Sequence, residues 1–216
     1  CSSDQVIAIG ETGLDYFYDH SDREQQQESF RAHLVASRET GLPVIVHTRD
    51  AEEDTARILR EEMGKGPFPG VIHCFTASGE FADIALELGL FISISGIVTF
   101  KNAQDLRDTA ARIPEERLLI ETDSPFLAPV PHRGKSCEPA FVADTGRFLA
   151  DLRGVSLETV RLATRANVCS VLAIDRSEVT LEPPGCSRGL LKKSRLSHPP
   201  WGLIFLVFRS KNGPQA

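Results

Sequence analysis

Cysteine is scarce in this chain, and no two cysteines stand at metal-binding spacing. Cys1, Cys74, Cys137, Cys169 and Cys186 are odd in number and scattered, with no C-x-x-C pair. That excludes a disulfide framework and a structural zinc motif, and it fits a reducing cytoplasm. Long apolar runs are missing as well. The longest, Leu203 to Phe208, falls far short of a membrane span, and no basic flank followed by an apolar stretch suggests a signal peptide. A basic surplus is also lacking: the formal net charge is -6. From Thr180 onward six Lys and Arg face one Glu, a net of +5, so the first 179 residues carry -11. So acidic a domain does not hold nucleic acid through a general basic face. If it handles phosphates, bound metal ions or a few local cations must do it.

What is present is ordinary for a globular protein: 41% hydrophobic and 25% charged residues in 216, enough for one substantial core or two small ones. One pattern stands out. Val6, Ile7, Ala8 and Ile9 form a short apolar run bounded by Gly10 and Gly13, as a strand covered on both faces reads, and Glu11 follows it. A carboxylate beside a buried strand needs a cation or a metal. Pro43-Val-Ile-Val-His47, Gly70-Val-Ile-His73 and Leu118-Leu-Ile-Glu-Thr-Asp123 repeat the design of a short apolar strand followed by a potential metal ligand.

Between these runs the chain alternates. After a loop from Leu14 to His20, Ser21 and Glu24 make a capping box for a helix to about Thr40, stopped by Gly41. Helices are expected at Ala51 to Met63, Ser78 to Leu88 and Asn102 to Ala111, and strands at Val71 to Phe75, Leu90 to Ser95 and Leu118 to Asp123. A loop rich in proline and cations, Ser124 to Glu138, leads to two helices, Pro139 to Leu152 and Ser156 to about Ala173. This is the alternation of a parallel sheet.

The ligand spacing selects among parallel folds. Glu11 to His47 is 36 residues, His47 to His73 is 26, and His73 to Asp123 is 50 with one ligand-free strand between. A TIM-type (β/α)8 barrel uses roughly 30 residues per unit, and its strand ends converge on one face. A doubly wound open sheet would gather its ligands near a single switch point.

Taken singly, each residue has a plainer reading. Glu11 could be a strand-end ion pair, and His47 and His73 could be hydrogen-bonded core histidines. Two His, one Glu and one Asp at successive strand ends read together as a metal site. Its imidazole and carboxylate ligands suit Zn, Mn, Mg or Fe alike. Asp123 could also take the proton from a water that a metal activates. Arg49, Arg133 and Lys135 are either solvated charges or phosphate clamps beside that centre. Cys74 reads as a small buried residue, and Asn167 as a structural hydrogen-bonding group.

Five ordered motifs carry a resemblance: Ala8-Ile-Gly-Glu-Thr-Gly-Leu-Asp-Tyr16, Pro43-Val-Ile-Val-His-Thr-Arg-Asp-Ala51, Val71-Ile-His-Cys-Phe-Thr76, Glu121-Thr-Asp-Ser-Pro-Phe-Leu-Ala-Pro129 and His132-Arg-Gly-Lys135. Together they closely resemble the TatD metal-dependent hydrolases, deoxyribonuclease-like members of the amidohydrolase-type barrels. The resemblance implies that Glu11 bridges two divalent metals (Mg, Mn and Zn are not distinguished), with His47 and His73 completing one site and Asp123 serving the other. It places Arg49, Arg133 and Lys135 at substrate phosphates. The implied activity is hydrolysis of DNA, and of RNA as a further substrate class, chiefly by trimming 3′ ends with a metal-activated water. A hydrolase of a small ester, lactone or amide is the alternative within the same barrel type.

The chain departs from the family pattern in two places. The first-strand His-x-His pair that binds the second metal is absent, and Cys137 replaces the usual Asn before Glu-Pro. The expectation is therefore an incomplete barrel, about strands 4 to 8, over residues 1–174. Residues 175–216 are expected to form an unrelated, disordered or non-native tail, and an inactive partial barrel is the third alternative. The oligomeric state is left open.

Overall fold

The computed structural model describes residues 6–174. The tail expected over 175–216 lies outside the described residues. Five strands, β1 (Ile9–Asp15), β2 (Val44–Arg49), β3 (Gly70–Ile72), β4 (Phe91–Ile94) and β5 (Leu118–Ile120), pair in parallel in the order β1-β2-β3-β4-β5. Between them run α1 (Arg23–Thr40), α2 (Glu52–Gly64), α3 (Gly79–Glu87) and α4 (Gln104–Arg112), and α5 (Val142–Arg153) and α6 (Leu157–Val171) follow. Spatial order equals chain order, with no reversal. This is the winding of an α/β barrel and excludes the doubly wound alternative, whose strand order switches direction.

The continuous apolar strands have a physical reason: both sheet faces are covered. Val44, Val46, Ile72, Ile92, Ile94, Leu118 and Ile120 pack with the buried residues of α1 to α5, among them Phe30, Leu34, Ile58, Leu59, Phe81 and Leu149. The alternate residues Ile45, Val71, Phe91 and Leu119 pack with Val168, Val171 and Leu172 around α6. Asn167 is the structural residue expected: its amide donates to the Glu115 and Leu118 carbonyls at 2.7 and 2.8 Å, where β5 begins.

Two local expectations are corrected. The first strand is not Val6 to Ile9 ending before Glu11; it runs Ile9–Asp15 and contains Glu11. Apolar content marks only where a strand is buried, whereas the ladder with β2 extends through Gly13↔His47, Leu14↔Thr48 and Asp15↔Arg49. Gly13 is what permits that pairing. It holds φ +149, and a Cβ there would lie 1.9 Å from the His47 carbonyl oxygen. The α1 cap is Asp22 rather than Ser21, its carboxylate accepting the Glu24 and Gln25 amides at 2.9 and 3.3 Å. A charged acceptor one residue nearer the helix wins over the hydroxyl. No helix among the described residues is long and apolar enough to cross a membrane.

Candidate metal centre

The ladder between β1 and β2 shifts register between Ile9 and Thr12, a bulge-like irregularity of the kind that re-aims a side chain. Glu11 lies in it, about one third exposed. One of its oxygens, Oε1, lies 2.9 Å from His47 Nδ1 and 3.9 Å from His73 Nε2. His47 stands near the end of β2, and His73 follows β3 directly. Asp123, three residues past β5, puts Oδ1 3.5 Å from the same His73 Nε2. Four residues from four parts of the chain thus converge at the carboxyl end of the sheet, where barrel active sites lie.

Two further acids belong to this cluster that sequence reasoning did not single out. Glu121 is 2% exposed, and its Oε1 meets His73 Nδ1 at 2.8 Å. It therefore fixes the ring so that Nε2 faces Glu11 and Asp123, the arrangement by which a carboxylate orients a metal-binding imidazole. The rule that flagged Glu11 would have found it, since it too is a charge closing an apolar strand. Asp15 puts Oδ2 3.4 Å from His47 Nε2, so His47 lies between two carboxylates.

The electrostatics match a cation-binding site. The Glu11 carboxyl is held below its usual range, first by its hydrogen bond to His47, against burial, and then by the charges of His73 and His47. Burial alone would lower the His73 pKa, but the Glu121 charge, hydrogen bonds to Asp123 and Glu121 and the Glu11 charge together raise it to about 10. His73 carries a proton where a dication would sit. The nitrogen and oxygen donors, close-set with an excess of negative charge, fit a divalent metal.

Cys74 offers a different grouping, because its sulfur and donor atoms of His73 and Glu121 lie within 4.8 Å of one another. Two observations favour the carboxylate set. The Cys74 thiol is already engaged, donating to Ser95 Oγ at 3.3 Å, and burial, with the Glu121 charge, pushes its pKa well up. Glu121 moreover faces Nδ1, leaving Nε2 to the open side.

Of the three predicted phosphate contacts, Arg49 is the last residue of β2 rather than a loop residue, Arg133 and Lys135 lie on the loop after β5, and the structure gives each its own neighbours. The Arg49 guanidinium lies 3.9 Å above the Phe17 ring, and that of Arg133 lies 3.6 Å above Phe100. Lys135 is exposed, its backbone held by the His132 carbonyl. Among the described residues none of the three forms an ion pair with an acid, so their charge is available to a ligand. His132 anchors the loop: its ring stacks on Phe141 at 3.8 Å, and its Nε2 meets Asp144 Oδ2 of α5 at 3.1 Å. Cys137, in place of Asn, is buried with its sulfur 3.7 Å from the Thr122 carbonyl oxygen.

Comparison with known proteins identifies the family. The metal-dependent hydrolase YcfH of Escherichia coli K12 is 52% identical over 174 residues, covering 81% of this chain and 65% of YcfH. YabD of Bacillus subtilis is 42% identical over 172 residues, covering 80% and 67%. The 3'-5' ssDNA/RNA exonuclease TatD of Klebsiella pneumoniae is 36% identical over 176 residues, covering 79% and 66%. The crystal structure of YJJV, a TatD homologue from Escherichia coli, superposes with TM-score 0.72 at 29% identity, covering 79% of this chain and 65% of that one. The chain thus spans about 65% of the length of YcfH. Residues 1–173 match the family described as TatD related DNase. With the fold, the strand-end donor cluster and these relatives in agreement, the chain belongs to the TatD related DNase family of metal-dependent hydrolases.

Proposed function

We propose that this chain is the greater part of a metal-dependent phosphodiesterase acting on nucleic-acid ends, most specifically a deoxyribonuclease that trims from the 3′ side. The observation that carries it is the single Glu11 oxygen facing both His47 Nδ1 and His73 Nε2, with Asp123 on the same His73 nitrogen. A carboxylate so shared is suited to bridging two cations. In this reading Glu11, His47, His73 and Asp123 hold divalent metal, two ions in the complete site, and the strands described here are the last five of a (β/α)8 barrel over residues 1–174. When bound, the metals activate a water and offset the charge that builds on the phosphate oxygens.

The chain's own residues do the rest. Asp123, about a third exposed at the open side, accepts the proton of the attacking water. Glu121 keeps the His73 ring in the required tautomer. Arg49, Arg133 and Lys135 hold the phosphates that flank the scissile bond, which an acidic domain can achieve only locally. The Klebsiella relative, named as an exonuclease of single-stranded DNA and RNA, supports this choice of substrate.

The test follows a 5′-labelled oligodeoxynucleotide in Mn²⁺ or Mg²⁺, with metal binding measured by calorimetry alongside. Stepwise shortening that EDTA abolishes, that Asp123→Asn eliminates and that Lys135→Ala slows at least ten-fold is expected, together with loss of metal affinity in His73→Ala. Cleavage of a small ester that Lys135→Ala leaves unchanged, with DNA left intact, would reject the nuclease reading. Absence of metal binding in the unmodified chain would reject the site itself.

A further inference from the structure

Among the described residues three phenylalanine and tyrosine side chains are exposed: Phe17 at 55%, Tyr18 at 53% and Phe126 at 68%. Each stands on a turn bonded to an acid of the candidate metal centre. The Phe17 and Tyr18 amides both donate to Asp15 Oδ1, at 3.0 and 2.9 Å. The other oxygen of that carboxylate, Oδ2, lies 3.4 Å from His47 Nε2. The Phe126 amide donates to the Asp123 carbonyl at 2.9 Å. β1 and β5, the outer strands of the sheet, therefore each deliver exposed rings to the rim of the centre.

In the closed barrel of the proposed function further strands would adjoin β1 and β5, so what the rings touch, and not their exposure, points to a ligand. The Arg49 guanidinium lies 3.9 Å above the Phe17 ring and 4.8 Å from the Tyr18 ring, so a cation that can hold a phosphate backs two aromatic groups. Phe17 and Tyr18 meet edge to face, with centroids 4.9 Å apart at 89°. Tyr18 and His20 are parallel within 1° at 5.5 Å. Phe17 remains more than half exposed with Arg49 over one face, which leaves ring surface for a planar ligand.

We propose that Phe17 and Tyr18, backed by Arg49, form a base-stacking platform that selects a single-stranded nucleic-acid end, with Phe126 as a second contact from the opposite edge of the sheet. This rests on the phosphodiesterase reading above and adds the ligand group it lacks, because phosphate contacts alone do not distinguish a nucleotide from any other phosphodiester. Bases offer their faces to protein rings only where the strand is unpaired, and aromatic rings interleaved with cations are how such strands are held without sequence preference. The shared Asp15 carboxylate fixes the platform to His47, so a stacked base sets the register of the phosphate entering the centre.

The experiment compares binding, by fluorescence anisotropy in Mg²⁺, of two labelled phosphorothioate chains of roughly ten units, a length within the range such sites cover. One is oligothymidylate and the other is abasic. Phe17→Ala and Tyr18→Ala are expected to weaken oligothymidylate about five-fold or more while leaving the abasic chain within about two-fold. Phe17→Tyr should retain affinity for both. Lys135→Ala should weaken both chains alike, and its failure to do so would count against the phosphate reading, not the platform. Equal loss of both chains in Phe17→Ala would make the rings mere supports for Arg49 and overturn the proposal. So would wild-type affinity that is the same for the two chains. Self-association of the chain that Phe17→Ala abolishes, with oligothymidylate affinity unchanged, would likewise overturn it and assign the patch to contact between copies.

Discussion

His73 makes the sharpest physical prediction, because its proton is held by geometry that one substitution removes. Its ordinary pKa of 6.5 is raised to about 10, with burial opposing and the Glu121 charge the largest raising influence. Since the folded value lies above the unfolded one, the stabilisation it gives is complete below about pH 6.5 and is lost as pH rises towards 10. Within that window one bound proton is worth about 1.4 kcal/mol per pH unit. Raising metal-free protein from about pH 7 to about pH 9 should therefore remove roughly 2 to 3 kcal/mol, a fall in Tm of several degrees. Cys74, Cys137 and Tyr16, all raised chiefly by burial, add losses only above the ordinary cysteine value of 9.0, so among the described residues the lower window isolates His73.

Glu121→Gln still accepts from Nδ1 but carries no charge. Burial then prevails, and the slope should shrink to less than half. The assay is thermal melting by circular dichroism in EDTA. Added Mn²⁺ should reverse the sign, because metal competes with the Nε2 proton and its stabilising effect grows with pH. A wild-type Tm flat between about pH 7 and about pH 9, or an equal slope in Glu121→Gln, would refute the reasoning.

Three substitutions test the frame around the site. Gly13→Ala places a Cβ against the His47 carbonyl at φ +149, and chemical denaturation should show a loss of about 3 kcal/mol or more, with metal affinity falling too. Asn167→Ala strands the Glu115 and Leu118 carbonyls and should cost about 2 kcal/mol by the same method, leaving metal affinity within two-fold. Glu62, 1% exposed, pairs with Arg31, Arg38 and Lys65; burial raises its pKa, but Lys65 and Arg31 lower it further, for a net decrease. Its contribution is thus present above the ordinary value of 4.5 and is lost as pH falls below it. Glu62→Ala should destabilise by about 3 kcal/mol at neutral pH and by much less in acid, as read from urea midpoints at both.

By itself the sequence determined the parallel α/β order and the four converging donors. Strands covered on both faces must be apolar throughout, and the return of Glu11, His47, His73 and Asp123 at barrel-unit spacing reads without coordinates. It also determined Asn167, a polar residue on an apolar helix stripe that has to be satisfied. Tertiary structure alone decided the rest. The extent of β1 depends on its ladder with β2, a pairing 34 residues away in the chain that local composition does not report. Asp15 joins the site only because folding sets it against His47, and the orienting contact of Glu121 with His73 Nδ1, though a strand-end acid is visible in the sequence, likewise exists only in the fold. The aromatic rings at 17 and 18 read as loop filler until the same Asp15 carboxylate is seen holding their amides on one oxygen and facing His47 with the other. Hydrophobic period is a property of neighbours along the chain, whereas charge, protonation and ligand geometry belong to neighbours in space.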